Sequence, residues 1–456
     1  MRVPLLDKQL GIEVYLTKSL GIGGVIREEV EDFLVEEMLV DGSKARVNGT
    51  APSRVLGSTL QRQRYLLCVL VKRNWDTFIA IKNIAKQLGI DQGRIQIAGI
   101  KDAKAVTAQH LTVDGGLLED AARVHVKDLQ VIPVGYVHEA LSTYYLLGNY
   151  FTIRIKTIRH KQSTVETRLA QSIKETEASG GIPNFFGHQR FGTTRPITHL
   201  VGKSLVQGDF EEAAMLLLAK PSVYEHPASR KARQQLQETG NFRQALDNFP
   251  KQLRFERLML SHLAENPDDF VGAFQRLPLK LQELFVQAHQ SYLFNRFLSG
   301  RLLAGYALNS PLAGDYVVGV DRSGLPITKI SKIVKAETET ALNNQVKAGK
   351  MQVALPIVGT RQKLSGGLMG EIEQRILEAE RVKLEELHVN PLSRAGGKGG
   401  LRTTIAPMRG LKVHVSAGGG GRSSELLLSF MLQRGCYATV LLRELMKPDD
   451  PLAAGF

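Results

Sequence analysis

A change of hydrophobic period along this 456-residue chain limits its fold more than any other feature. Before about residue 194 the apolar pattern is strand-like. Phe33 and Val35 alternate with Leu34 and Glu36, RYLLCVLVKRN (64–74) is a continuous apolar run, IQIAGI (95–100) is a short one, and YFTIRIKTI (150–158) alternates along its whole length. From about 194 to 300 the period becomes helical. LQELFVQAHQSYLFNRFLSGRL shows it best, with Leu281, Leu284, Phe285, Ala288 and Tyr292 on one face. Strand-like DYVVGVD (315–321) and MQVALPIVG (351–359) follow. A charged helix over 371–387 then leads to a Gly-rich joint, SRAGGKGG (393–400). LKVHVS (411–416) and ELLLSFMLQRG return to strand texture before a closing helix, ATVLLRELMK. Two β-rich ends around a different middle imply one domain inserted into another, and the length suits two or three domains.

Punctuation refines the first part. Asp76 or Thr77 caps a predicted helix with Ile79, Ile81, Ile84, Ala85 and Leu88 on its apolar side and Gly89 at its end; a second helix is expected over about 163–178. The charge then narrows the partners. Lys and Arg number 59 against 45 Asp and Glu, a surplus of +14, which favours a polyanion: nucleic acid or an anionic membrane. No apolar window is long enough to span a bilayer. MRVPLLDKQLGIEVYL carries acids early and lacks an apolar core with a small-residue cleavage site, so a cytoplasmic location is expected. Nucleic acid is therefore the expected anion. RKARQQLQETGNFRQALDNFPKQLRFER (230–257), with seven basic residues against three acidic, is a candidate phosphate grip or a solvated helical face. Cys68 and Cys436 sit in apolar runs and read as buried free thiols.

Metal and nucleotide motifs are missing from the sequence. It has no CxxC pair and no HExxH, and AGGKGGLRTT and AGGGGRSSE depart from GxxxxGK[ST], so flexible joints or RNA-facing backbone are the readings for them. AGIKDAKAVTAQ (98–109) is more informative. An apolar strand ends at a glycine, Lys101-Asp102 follows, and Thr107 and Gln109 add polar groups, which suits either a carboxylate exposed in a cleft or a turn aspartate capping the next helix. PNFFGHQRFG (183–192) interleaves Phe185, Phe186 and Phe191 with Asn184, His188, Gln189 and Arg190. Aromatics stack a splayed-out base, amides read its edge, and arginine holds phosphate; an ordinary aromatic core turn is the alternative. LLGNYFTIRI (146–155) places Asn149 and Phe151 on one side of a strand, and Arg27 stands just ahead of the EDF strand.

Together GIKDAKAVTAQ, GNYF, PNFFGHQRFG, EDFLVEE and YATVLLREL resemble the TruD family of tRNA pseudouridine synthases, over nearly the whole chain. The resemblance implies an α+β fold: a pseudouridine-synthase catalytic domain on a bent, mixed, mainly antiparallel sheet, interrupted by an inserted α/β TRUD domain. The expected division is 1–193 and 401–456 for the catalytic domain and 194–400 for the insertion, whose length resembles archaeal or eukaryotic members. The implied activity isomerises uridine, best known at position 13 of tRNA, with no cofactor and no metal. The partner is tRNA and no membrane, and a monomer is expected. By position in the motifs, Asp102 is the implied catalytic aspartate, Arg27 the basic residue pairing with it, and Lys101 the motif lysine beside it. Phe151 is the aromatic stacked on the target base and Asn149 helps organise that pocket. PNFFGHQRFG is implied to line the cleft, with Asn184, Phe186, Gln189 and Arg190 near RNA. HEALSTYYLLGNYF departs from the pattern: it lacks the basic run that bacterial members often carry before GN, so the grip on RNA there is weaker or comes from the insertion.

The implied reaction breaks the N1–C1′ bond, rotates uracil and rejoins it through C5. An ionised carboxylate suits it as nucleophile at C1′ or as base at C2′. A guanidinium within about 4–6 Å favours the ionised form. A paired uridine has to flip out, and stacking on an aromatic returns part of that cost. Two other readings stand beside this one: a catalytically silent RNA-binding protein or chaperone, and a nucleotide-dependent RNA-modifying enzyme using the Gly-rich segments.

Overall fold

The computed structural model describes residues 2–50, 54–387, 389, 392, 396–418 and 423–456. Parts of both Gly-rich segments, 393–395 and 419–422, lie outside the described residues. In chain order the strands are β1 (Phe33–Leu39), β2 (Tyr65–Arg73), β3 (Ile95–Ile97), β4 (Val106–Asp114), β5 (His125–Val126), β6 (Leu129–Val137), β7 (Leu146–Ile158), β8 (Ile182–Pro183), β9 (Tyr316–Val320), β10 (Pro326–Ile333), β11 (Met351–Ile357), β12 (Gly400–Thr403), β13 (Ile405–Ala406), β14 (Met408–Ala417) and β15 (Ser424–Gln433).

Nine of these form one sheet among the described residues, in the order β14-β15-β7-β1-β4-β2-β6-β5, with β3 paired to β4. The β1–β4 pair is parallel and the other pairs are antiparallel, so the sheet is mixed and mainly antiparallel. The chain leaves it after β7 and returns with β14 and β15, of which β15 pairs directly on β7 and β14 pairs on β15. That pairing explains Gly148 in the GNYF segment: a Cβ there would collide with the Leu432 carbonyl on β15. A separate four-stranded sheet, β10-β9-β11-β12, lies within the excursion and runs three residues past the expected boundary at 400. Helices fill 198–303 ahead of it, ending in the long Leu279–Leu303.

Period two is visible in the burial of β1, where Phe33, Val35, Glu37 and Leu39 face inward. The helix Thr77–Leu88 has Asp76 as its cap, accepting from the amides of Phe78 and Ile79, and ends on Gly89 at φ 63°. Four readings change. Ile79 lies on the solvent side, because the buried stripe runs through Thr77, Ala80, Ile81, Ile84 and Ala85. Leu284 is exposed, and from Phe285 onward the long helix is buried on more than one face. The charged helix spans Gly367–Glu380 and stops at Arg381, whose φ is 55°. In the basic segment, Arg233 is buried between Glu225 and Glu256, and Arg257 bonds the carbonyls of Leu246 and Phe249, so two of the seven cations serve the fold. Among the described residues no helix is long and apolar enough to cross a membrane.

Candidate active site

Strand β4 begins at Val106, directly after the loop that carries Lys101 and Asp102, so Asp102 caps no following helix. The loop is tied down along its length: Gln109 Nε2 donates to the Gly99 carbonyl (3.0 Å), Thr77 Oγ1 to that of Lys101 (3.1 Å), Lys72 Nζ to that of Asp102 (2.6 Å), and the Asn74 amide to that of Ala105 (3.1 Å). The Asp102 side chain keeps 32% of its surface in solvent. It lies in a cleft of about 370 Å³ lined by Phe33, Asn149, Phe151, Gln189 and the 434–438 turn, among others. Within reach of its carboxylate, Arg27 Nη2 donates to Oδ1 at 3.4 Å, and no hydrogen bond engages Oδ2 among the described residues.

Arg27 is nearly buried and is held at φ 60°, a backbone region that non-glycine residues rarely enter. Its Nη1 donates to the Gly455 carbonyl (2.8 Å), and its Cζ sits 4.0 Å from the Phe33 ring centroid. Burial pulls this guanidinium below its ordinary range, and the Asp102 carboxylate opposes that pull. Phe33 meets Phe151 edge-on (6.2 Å), and Phe430 stacks on Phe151 (5.4 Å, 25°), giving the cleft an aromatic wall. Asn149 stands two residues before Phe151, and its Oδ1 is buried with no partner among the described residues. An unmatched polar atom of this kind is costly unless a ligand completes it.

Lys101 borders the cleft but directs its ammonium away from Asp102. Nζ pairs with buried Glu37 at 2.6 Å, and Glu37 also takes the His110 amide (2.8 Å). It therefore anchors the loop to β1 rather than meeting the carboxylate beside it in the chain. The PNFFGHQRFG segment divides in the same way. Gln189 lines the cleft and accepts from Thr439 Oγ1 (3.0 Å). Asn184, Phe186 and Arg190 are not lining residues. Asn184 is buried, giving Nδ2 to Thr403 and taking Arg402 Nη2 at 2.6 Å on Oδ1. Phe186 meets Phe294 edge-on and lies under Arg402. Arg190 bonds Ser291 and Gln287 on the long helix.

Sequence reasoning missed four contributors. Lys72, Glu37 and Arg402 hold the walls, and the turn Arg434-Gly435-Cys436-Tyr437 forms one of them. Cys68 is buried, but Cys436 is only half-buried and lines the cleft. A local signal existed for Glu37, since it shares the inward face with Phe33 and Val35. Lys72 ends an apolar strand, where a lysine ordinarily reaches solvent, and no local pattern marks it.

The family model described as "tRNA pseudouridine synthase D (TruD)" matches residues 9–445. A protein from Methanosarcina barkeri named "Probable tRNA pseudouridine synthase D" is 38% identical over 452 residues, covering 98% of this chain and 99% of that protein. Its counterpart from Thermococcus sibiricus is 35% identical over 95% of this chain and 97% of its own. Among solved structures, the crystal structure of the putative tRNA pseudouridine synthase D (TruD) from Methanosarcina mazei superposes with a TM-score of 0.82 at 35% identity, covering 99% of this chain and all of that one.

Proposed function

The chain belongs to the TruD family of tRNA pseudouridine synthases, and from that premise we propose that it isomerises uridine 13 of tRNA with Asp102 as the catalytic carboxylate. The observation that carries the assignment is the setting of Asp102: a partly exposed carboxylate in a cleft, with a guanidinium at 3.4 Å on one oxygen and the other oxygen unengaged among the described residues.

In this reading the target base flips into the cleft and lies against the Phe151 wall, where stacking returns about 1–3 kcal/mol of the flipping cost. Asn149 Oδ1 supplies the unmatched acceptor for a uracil N–H. Oδ2 of Asp102 attacks C1′ or takes the C2′ proton, and the same free oxygen serves both routes. Arg27 keeps the anion in place through Oδ1 and holds its aim through Gly455 and Phe33. Residues 194–400 are proposed as the inserted unit, supported by the departure of the chain from the large sheet after β7 and its return with β14. The surplus of +14 supplies the attraction to tRNA phosphates.

The test incubates the full chain with unmodified tRNA and no added cofactor, then maps pseudouridine chemically. Pseudouridine at position 13 is expected from the wild type, and none from Asp102→Asn, which still binds the tRNA. Modification at another position would remove the uridine-13 assignment, near-wild-type turnover by Asp102→Asn would remove the aspartate, and binding without any pseudouridine would favour the silent RNA-binding reading.

A further inference from the structure

Lysine is almost never fully buried without a partner, yet Lys72 on β2 is 0% exposed. Among the described residues no carboxylate touches its ammonium. It gives its three protons to main-chain carbonyls: Trp75 at 2.7 Å, Asp102 at 2.6 Å and Lys101 at 3.5 Å. These oxygens come from two segments separated in sequence, the approach to the helix Thr77–Leu88 and the loop that presents Asp102. Thr77 Oγ1 adds a donor to the Lys101 carbonyl (3.1 Å) and accepts from the Lys101 amide (3.3 Å). The two residues at the head of the loop therefore sit on a cationic support that belongs to the sheet.

Stability alone does not call for such a support. Burying an unpaired ammonium costs several kcal/mol, and an apolar side chain of similar volume often serves a core as well or better. What the ammonium adds is a three-point hold on a turn, together with a positive charge directly under the main chain of Asp102. We propose that Lys72 is a positioning residue for the isomerisation, fixing the main chain at Lys101 and Asp102 and so the aim of the Asp102 carboxylate into the cleft. The inference rests on the reading of Asp102 given above and adds the element that holds it.

The charged groups around Lys72 are Asp102 and Asp76, which help it keep its proton, and Lys101, which opposes them. On the flanking strands its register partners are Thr107 and Leu129, neither of them charged. Burial outweighs the acids and brings the ammonium down to about 8. Lys72 is thus charged below that pH and loses its charge as pH rises through it.

Two variants of the full chain test the proposal on unmodified tRNA. Lys72→Met keeps the stem and removes charge and donors. It is expected to lower kcat about 100-fold, the scale of a small misplacement of a reacting group, with KM nearly unchanged. Lys72→Arg keeps a permanent charge. In the wild type kcat is expected to decline as pH passes about 8, and in Lys72→Arg that decline is expected to disappear; titration of the tRNA itself is common to both and cancels. A wild-type kcat in Lys72→Met, or the same alkaline decline in Lys72→Arg as in the wild type, overturns the proposal. Where Lys72→Met does not fold, the pH profile of Lys72→Arg decides alone. Near-wild-type kcat in Lys72→Met beside an inactive Asp102→Asn rejects the support and keeps the aspartate, whereas an active Asp102→Asn rejects the reading of the cleft itself.

Discussion

Asn149 and Asn184 are both expected at the RNA from their motifs, and the fold treats them in opposite ways. Asn149, on β7 beside Phe151, lines the cleft with its carbonyl oxygen buried and unmatched. Asn184, after β8, has a partner on each side-chain polar atom: Nδ2 donates to Thr403 and Oδ1 accepts from Arg402. The same division separates their surroundings. The loop 98–105 and β7 present Asp102, Phe151 and Asn149 to the cleft, while PNFFGHQRFG, apart from Gln189, packs inward, with His188 on buried Asp7 and Arg190 on the long helix. Residue type alone does not distinguish a recognition surface from a strut. Between these two asparagines, what differs is whether the side-chain oxygen still lacks a partner once the chain has folded.

The contrast can be broken most forcefully at Asp102. Asp102→Asn removes the anion while keeping the shape, and pseudouridine formation on unmodified tRNA should fall by about 10⁴-fold, the upper range for losing a positioned acid–base group. If the inward-packed wall held the chemistry instead, this variant would stay active.

The sequence reveals the large sheet through period two in β1 and β7, and the helical middle through its change of period. It also marks Asp102 and Arg27, which the fold brings together across 75 residues. The use of the cations was not legible. Arg27, Lys72, Lys101, Arg190 and Arg402 look alike in a string, but one faces the carboxylate and the others are taken up by Glu37, main-chain carbonyls, Ser291 or Asn184. Those partners lie far away in sequence, and only long-range packing decides which donors are left over. The turn 434–437 was hidden for a different reason: its apolar flanks read as core, while the fold brings it to the rim of the cleft.

Phe151 ranks second. Phe430 already stacks against it and Phe33 meets it edge-on, so Phe151→Ala would open a cavity costing about 3–5 kcal/mol and confound any activity measurement. Phe151→Leu keeps most of the volume at a cost of less than about 1.5 kcal/mol and removes the aromatic face. Turnover should fall roughly 5- to 150-fold, the equivalent of about 1–3 kcal/mol of base stacking, with the denaturation midpoint only slightly lowered. An unchanged rate would place the base elsewhere in the cleft.

Asn184 should show the reverse pattern. Asn184→Ala leaves Arg402 Nη2 short of an acceptor and Thr403 Oγ1 short of a donor, and the loss of stability should be about 1–3 kcal/mol in urea denaturation. Initial rates at 25 °C should change little, because the side chain does not line the cleft. A large drop in kcat with an unchanged midpoint would mean that this wall meets RNA after all.

Asn149→Ala is the finest test, because it asks whether an unmatched oxygen is a recognition group or a packing residue. Among the described residues Oδ1 has no hydrogen-bond partner, so deleting it breaks no such bond and relieves a buried acceptor of its desolvation cost. The variant should be as stable as the wild type or slightly more so. With tRNA bound, the lost acceptor removes one hydrogen bond to uracil, about 0.5–1.5 kcal/mol, so kcat/KM should fall by about 10-fold or less. The two readouts therefore move in opposite directions at Asn149, whereas at Asn184 stability falls and rate does not. If Asn149→Ala lost stability and kept its rate, the two asparagines would be struts of the same kind, and the contrast between the two walls would fail at the residue that defines it.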